Sequence, residues 1–133
     1  MSDNDLLIAL KKVLNDLLGS VSEADSVFIA TLDGRLLLER SREAYPLDQV
    51  SPMAGSLLGI SETLSVQLLD QKLQDNIVMM ERNLLALLKV QDQEDSLFLG
   101  MICDRMVNFG KMLTFGKASV KSINELLEQQ SSL

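Results

Sequence analysis

The sequence contains no histidine and no tryptophan, and only one cysteine and one tyrosine. Without histidine, neither a Ser-His-Asp nor a Cys-His nucleophile arrangement can form, and no histidine-ligated metal site is possible. The lone cysteine, Cys103, has no partner for an intramolecular disulfide, and its apolar stretch LFLGMIC predicts a buried, unreactive thiol. We therefore rank an enzyme last among the possible functions and expect no cofactor and no metal.

Basic charge is also scarce, because 12 Lys and Arg residues stand against 19 Asp and Glu, for a net charge of -7. Such a surface repels the phosphates of nucleic acids and anionic lipids. Polar residues at helical spacing interrupt the apolar N-terminal stretch, which is typical of an amphipathic helix and not of a signal peptide, and no segment is long enough to span a bilayer. These features predict a cytoplasmic protein with no nucleic-acid partner and no membrane insertion.

Glycine and proline are sparse as well, with seven and two residues, and no segment has the composition of a linker. The 133 residues, 47% of them hydrophobic, suffice for one ordinary core. We therefore expect a single domain over residues 1–133.

The first half of the chain has clear periodicities. Apolar residues recur at steps of three and four over residues 3–18, which predicts a helix, and Gly19 follows where a C-terminal cap belongs. Two β-type runs, SVFIATL and RLLLER, then flank Asp33-Gly34, the strongest short signal for a hairpin. Ser51 is suited to cap the next helix, with Pro52 in its first turn, and this helix is predicted to run to about Leu69.

The second half predicts three strands and a closing helix. NIVMMER and LLALLKV are expected to be joined at Arg82-Asn83, because Asn83 tolerates the left-handed region. An acidic loop, QDQED, leads to the strand SLFLGMIC; its residues Asp92, Glu94 and Asp95 lack the pattern of a calcium loop and predict a solvated turn. The closing helix has an apolar stripe at helical spacing, formed by Phe109, Met112, Leu113, Gly116, Val120, Ile123 and Leu127.

The predicted order is therefore α-β-β-α-β-β-β-α. Two hairpins and short connections favour a five-stranded antiparallel sheet, and long apolar strands suggest that helices cover much of it on both faces. The predicted fold class is an α+β sandwich.

The middle helix carries two glycines, Gly55 and Gly59, each costing about 1 kcal/mol relative to alanine. On a helical wheel the opposite side collects an apolar stripe, which we interpret as the core-facing side: Met53, Leu57, Ile60, Leu64 and Leu68. The glycine side combines apolar residues with few polar ones, and we interpret it as the surface that a partner covers. In the alternative interpretation, the glycines only accommodate a bulky group within the same fold.

The element order, the strand-DG-strand hairpin, the helix LDQVSPMAGSLLGISETL and the closing FGKMLTFGKASVKSINELL resemble the Roadblock/LC7 family, and most closely its bacterial MglB-like members. This resemblance implies a three-layer-like, profilin-like sandwich that forms a homodimer. The strand Asp75 to Arg82 would pair with its twin, so that one sheet continues across both protomers. The implied dimer-interface residues are Leu69, Asn76, Ile77, Val78, Met79 and Met80.

The resemblance also implies a function. The exposed small residues of the long helix would bind a Ras-like small GTPase, and the protein would modulate the GTPase cycle without a catalytic site of its own. The implied partner-binding residues are Ser51, Gly55, Leu58, Gly59, Glu62, Thr63 and Val66. No GxxxxGK[ST] phosphate-binding run occurs in the sequence.

Two alternative functions remain open. The protein could be a purely structural adaptor subunit of a larger complex, with no effect on nucleotide turnover. A small-molecule sensor is the other alternative, although the sequence shows no cluster of convergent polar residues among its apolar strands, which argues mildly against a ligand pocket.

Overall fold

The computed structural model describes residues 2–90 and 97–131, so the predicted acidic turn at Asp92, Glu94 and Asp95 lies outside the described residues. The elements follow the predicted order: α1 (Asp3–Ser20), β1 (Ala24–Thr31), β2 (Leu36–Ser41), α2 (Leu47–Thr63), β3 (Asp75–Met79), β4 (Asn83–Val90), β5 (Leu97–Asp104) and α3 (Phe109–Ser131). A π turn, Leu64–Leu68, continues α2.

The five strands form one antiparallel sheet in the order β2-β1-β5-β4-β3, which confirms the predicted fold class. The most apolar strand, β5, lies at the centre, and seven of its eight residues are buried. β2 and β3 are the two edges. Because strands β1, β4 and β5 are apolar on both faces, each face of the sheet needs a cover.

Helices α1 and α3 cover one face of the sheet. Their buried residues Leu14, Leu17, Met112 and Ile123 pack in one cluster with β-strand residues such as Met101. Helix α2 covers the other face, where its residues pack with two aromatic rings in a smaller cluster. The rings of Phe28 and Phe98 meet edge to face there, with centroids 6.0 Å apart. The predicted two-sided covering of the sheet is therefore confirmed.

Several local predictions need correction. Helix α1 continues through Gly19 to Ser20, and the backbone N–H of Val21 caps it by donating to Leu17 O, so Gly19 is not the cap. Asn83 does not adopt a positive φ, since Asp70 is the one described non-glycine residue that does. Asn83 instead begins β4, and its side chain donates to the Cys103 carbonyl.

Helix α2 begins at Leu47, four residues before the predicted cap Ser51. Ser51 is fully buried in the helix interior, and Pro52 lies in the second turn instead of the first. The predicted Asp33-Gly34 hairpin is confirmed, with Gly34 at φ 97°, and its tip packs on this part of α2. A Cβ at Gly34 would lie 2.5 Å from Pro52 Cα, so only glycine permits this approach.

A small polar network lies at the end of the sheet where β1 and β4 begin. Tyr45 OH donates to Asp25 Oδ2 at 3.0 Å, and Asn83 Nδ2 approaches the same oxygen at 3.4 Å. Burial, reinforced by Asp25, raises the pKa of Tyr45 to about 12. Burial, followed by the charges of Asp25 and Glu23, raises the pKa of the Cys103 thiol to about 12 as well. Cys103 is buried, as the sequence predicts, and the raised pKa disfavours the reactive thiolate form.

These shifts predict a loss of stability at alkaline pH. The unfolded chain releases the protons of the thiol and phenol from their ordinary pKa values, 9.0 and 10.0, whereas the folded chain holds both to about 12. Between these values unfolding releases protons, so the contribution of these two groups to the free energy of unfolding is constant below about pH 9 and falls as pH rises towards 12. The thiol alone contributes a slope of about 1.4 kcal/mol per pH unit.

Urea unfolding at pH 8 and pH 10.5 measures this effect. The Cys103→Ala variant is expected to lose less stability across that interval than the unmodified chain, by about 2 kcal/mol. Tyr45→Phe is the second variant, and it should reduce the fall of the unfolding free energy with pH only above pH 10. Equal losses in all three proteins would contradict the assignment.

Candidate functional site

The orientation of α2 on the sheet is the reverse of the predicted one. The side that packs on the sheet consists of Leu47, Ser51, Ala54, Gly55 and Leu58, all buried. Four of the five residues predicted to face the core are instead exposed, with Met53, Ile60 and Leu68 at 75%, 69% and 72% and Leu64 at 50%. Leu57, the fifth, is half-buried against the cluster beneath α2. The predicted partner-binding residues Ser51, Gly55 and Leu58 are therefore enclosed within their own protomer.

The two glycines of α2 have different environments. A Cβ at Gly55 would overlap the backbone carbonyl of Leu32 in the β1–β2 connection. Gly55 therefore allows close packing within the protomer, as in the alternative interpretation of the glycines. A Cβ at Gly59 would have nothing within 4 Å, so Gly59 is bare surface.

The other predicted partner-binding residues lie at or near the surface. Gly59 and Thr63 are exposed, and the Thr63 hydroxyl donates to Gly59 O at 3.1 Å. Val66 is exposed in the π turn. Glu62 is half-buried and forms an ion pair with Lys89 of β4, with 2.7 Å between Lys89 Nζ and Glu62 Oε1. We call Ser56, Gly59 and Thr63 the outer face of α2. Whether these residues bind a partner stays a prediction.

A hydrogen bond between α2 and the edge strand β3 shows which side of the helix lies towards the edge. Asn76 Nδ2 donates to Ser61 Oγ at 2.5 Å. Leu57 and Leu64 lie within about 60° of Ser61 around the helix axis. The apolar stripe, exposed except for the half-buried Leu57, thus lies on the flank of α2 that faces past β3. We call it the apolar flank: Met53, Leu57, Ile60, Leu64 and Leu68.

The π turn extends the apolar flank. In a regular α-helix, positions four apart drift by about 40° around the axis, so eight residues would move Leu68 about 80° from Ile60. A π turn, with its wider i→i+5 bonding, rotates less per residue and reverses part of that drift. Leu68 therefore stays near the line of Ile60 and Leu64, and the three line a shallow groove of about 720 Å³ together with the outer face.

The edge strand β3 is open on the side away from β4. Of the predicted dimer-interface residues, Asn76, Ile77 and Val78 are half-buried, while Leu69, Met79 and Met80 are exposed. The Asn76–Ser61 hydrogen bond joins this edge strand to α2 on the side of the apolar flank. Sequence reasoning placed the residues of the flank in the core and so did not recognise them as surface.

The correct helix orientation left a signal in the sequence. Leu47, Ser51, Ala54 and Leu58 are spaced four, three and four residues apart, which is a complete helical stripe. Ser51, Ala54 and Gly55 on this side are small, and small residues are what a helix presents where it lies close to other backbone. Both sides of α2 carry an apolar stripe at helical spacing, so periodicity alone does not choose between them.

No family model matches the sequence, and no curated protein matches it. Solved structures do. Gliding protein MglB from Thermus thermophilus covers 91% of this chain and 90% of its own, with a TM-score of 0.81 at 18% identity. A Roadblock/LC7 domain from Streptomyces avermitilis covers 88% and 96%, with a TM-score of 0.80 at 15% identity. The chain has the Roadblock/LC7 fold.

A further Roadblock/LC7-fold structure, described as MglB with a tetrameric arrangement, covers 90% of this chain and 88% of its own, with a TM-score of 0.80 at 18% identity. At such identities the likeness establishes the fold and no residue's role. Within residues 2–90 and 97–131, no helix combines the length and the hydropathy of a membrane span.

Proposed function

We propose that this Roadblock/LC7-fold protein is a homodimeric regulator that binds a small Ras-like GTPase through α2 and modulates its GTPase cycle. The observation that carries the proposal is the open edge of β3 together with the exposed apolar flank of α2, two features that the Asn76–Ser61 hydrogen bond brings together. A strand edge supplies backbone hydrogen bonds, and an exposed apolar stripe supplies buried area. A second copy of the chain, related by a two-fold axis, would present the same features and so could both pair with the strand edge and cover the apolar stripe.

The two edges of the sheet differ in how they are protected. β2 carries Glu39 and Arg40, and its pairing with β1 contains a register shift between Ile29 and Ala30. Charges and bulges are the features that keep sheet edges from pairing. β3 has neither a bulge in its pairing with β4 nor an unpaired charge, because its one ionised residue, Asp75, pairs with Lys117 at 3.3 Å. β3 is therefore the edge suited to pairing.

The outer face of α2 supports a site for the GTPase. Ser56, Gly59 and Thr63 are exposed and uncharged on a protein whose net charge is -7. When a second copy covers the apolar flanks, two α2 helices lie side by side and their outer faces form one neutral surface. The bare backbone at Gly59 lets a partner approach closely.

The structural relatives add support of a limited kind. One is named a gliding protein, and another, an MglB, has a tetrameric arrangement. The resemblance noted in the sequence points to regulation of a Ras-like GTPase. A purely structural adaptor would use the same surfaces without changing nucleotide turnover, so an activity measurement is required.

The test compares Gly59→Arg with Gly19→Arg. Both replace an exposed helical glycine whose Cβ position is open, but Gly19 lies on α1, on the opposite side of the sheet. We expect both variants to be folded dimers by circular dichroism and sedimentation. Gly19→Arg should bind the Ras-like GTPase of the same organism normally, whereas Gly59→Arg should weaken binding at least about tenfold, which is 1.4 kcal/mol.

The readouts are the affinity for the GTPase and its rates of GTP hydrolysis and nucleotide exchange. Equal affinity for both variants would show that the outer face is not the binding surface. Unchanged hydrolysis and exchange with the unmodified dimer would overturn regulation and support the structural adaptor.

A further inference from the structure

The hydrogen-bond pattern of β3 determines which backbone groups its open edge presents. In an antiparallel pair, residues opposite each other alternate between exchanging both backbone bonds and exchanging none. The Met80 N–H donates to Asn83 O at 2.9 Å, and Met79 lies opposite Leu84. Counting back from Met80, Val78 and Asn76 also direct their backbone groups to β4. Asp75, Ile77 and Met79 therefore direct theirs to the open edge.

Self-pairing about a two-fold axis has few solutions for such an edge. If the axis passed between two residues, each residue whose backbone groups point to the open edge would lie opposite a residue whose backbone groups point to β4. No hydrogen bonds would then form between the two strands. An axis through Asn76, Ile77 or Val78 opposes outward residues with outward residues. These three registers are the ones that the strand Asp75–Met79 permits near its centre.

Building on the proposed dimer, we infer that β3 pairs with β3 of a second copy in the register centred on Ile77. Ile77 then opposes its own equivalent, and Asp75 opposes Met79 of the second copy. All three outward residues of each strand exchange their backbone bonds. Asp75 meets an apolar side chain while its carboxylate keeps the 3.3 Å ion pair with Lys117.

The other two registers are less favourable for reasons visible in the strand. An axis at Val78 places Asp75 opposite Glu81 of the second copy, and like charges directly opposite are destabilising. An axis at Asn76 opposes Met79 with Leu73, which precedes β3, so the Met79 backbone groups lose their partner within the strand. The Ile77 register avoids both problems.

Disulfide trapping distinguishes the three registers. In the Ile77 register, Asn76 and Val78 of the second copy form a non-hydrogen-bonded pair, in which the Cα atoms lie about 4.5 Å apart, within the range that a disulfide requires. Equivalent residues lie diagonally, at about 7–8 Å, which is too far. An axis at Asn76 or Val78 would instead bring that residue against its own equivalent.

The experiment uses the full chain in three preparations: Asn76→Cys alone, Val78→Cys alone, and the two variants refolded together. The native Cys103 is fully buried and serves as background in the unmodified chain. After mild oxidation, covalent dimer on a non-reducing gel is expected only in the mixed preparation, up to about half of the chains because random mixing yields heterodimers in half of the pairs.

Cross-linking of Asn76→Cys alone would overturn the Ile77 register and place the axis at Asn76. Cross-linking of Val78→Cys alone would overturn it and place the axis at Val78. A dimer that cross-links in no preparation, or a chain that is monomeric by sedimentation, would also overturn it. The readout involves no GTPase, so a mixed cross-link together with unchanged GTP hydrolysis would refute the regulatory function and leave the register standing.

Discussion

Gly55→Arg is expected to prevent stable folding, whereas Gly59→Arg, four residues further along the same helix, is expected to leave the fold intact. The Leu32 carbonyl occupies the space that any side chain at position 55 would need, and it belongs to backbone that the β1–β2 hairpin holds in place. Overpacking of this kind costs about 3 kcal/mol or more. At Gly59 the space is open, and arginine is the better helix former by about 1 kcal/mol.

Alanine provides a finer version of the same test. Helix propensity alone would make both Gly55→Ala and Gly59→Ala more stable, by about 1 kcal/mol each. We expect this gain at position 59 and a loss at position 55, so that the two changes have opposite signs in urea unfolding. A gain at both positions would show that the hairpin does not lie against α2 as described.

The Ile60→Glu/Leu64→Glu double variant is expected to be a folded monomer. Both side chains are exposed in the protomer, so charge there costs little in an isolated chain. In the proposed dimer the same positions meet the second copy, and two unpaired carboxylates per chain would lose their hydration. We expect the dimer dissociation constant to rise at least about a thousandfold, which corresponds to 4.1 kcal/mol.

Sedimentation across a range of concentrations measures this effect. The matched control is Leu7→Glu/Ile8→Glu, which places the same charges at exposed apolar positions of α1, on the opposite face of the sheet. The control should remain dimeric. If the Ile60→Glu/Leu64→Glu variant were dimeric with unchanged affinity, the apolar flank would not be the interface, whatever the outcome at β3.

The secondary structure followed closely from periodicity and turn chemistry. The apolar stripe of α1, the Asp33-Gly34 hairpin and the continuous apolar run of β5 each have one consistent interpretation, and the structure has these elements where they were expected. The start of α2 was missed because Ser51-Pro52 is a strong local capping signal. The buried contacts of Leu47 outweigh that signal and extend the helix by one turn towards its N-terminus.

The same reasoning predicted only one of the two parts of the candidate site. The edge strand β3 was expected at the interface through the family resemblance, and the structure leaves its edge open. The face of α2 was assigned in reverse because both sides of that helix carry apolar residues. Large apolar side chains are ordinarily taken as core, yet Met53 and Ile60 are exposed, while the small residues Ser51, Ala54 and Gly55 are buried beside Leu47 and Leu58.

The sequence by itself determined the order and type of the elements, the two-sided covering of the sheet and the burial of Cys103, because these depend on patterns within one segment. Only the tertiary structure decided which side of α2 packs inward. That choice depends on the distance between α2 and the β1–β2 connection, two segments whose separation no local pattern encodes. The Leu32 carbonyl lies where a Cβ at position 55 would be, so Gly55 faces inward, and Met53 and Ile60 on the other side of the helix are left exposed to solvent.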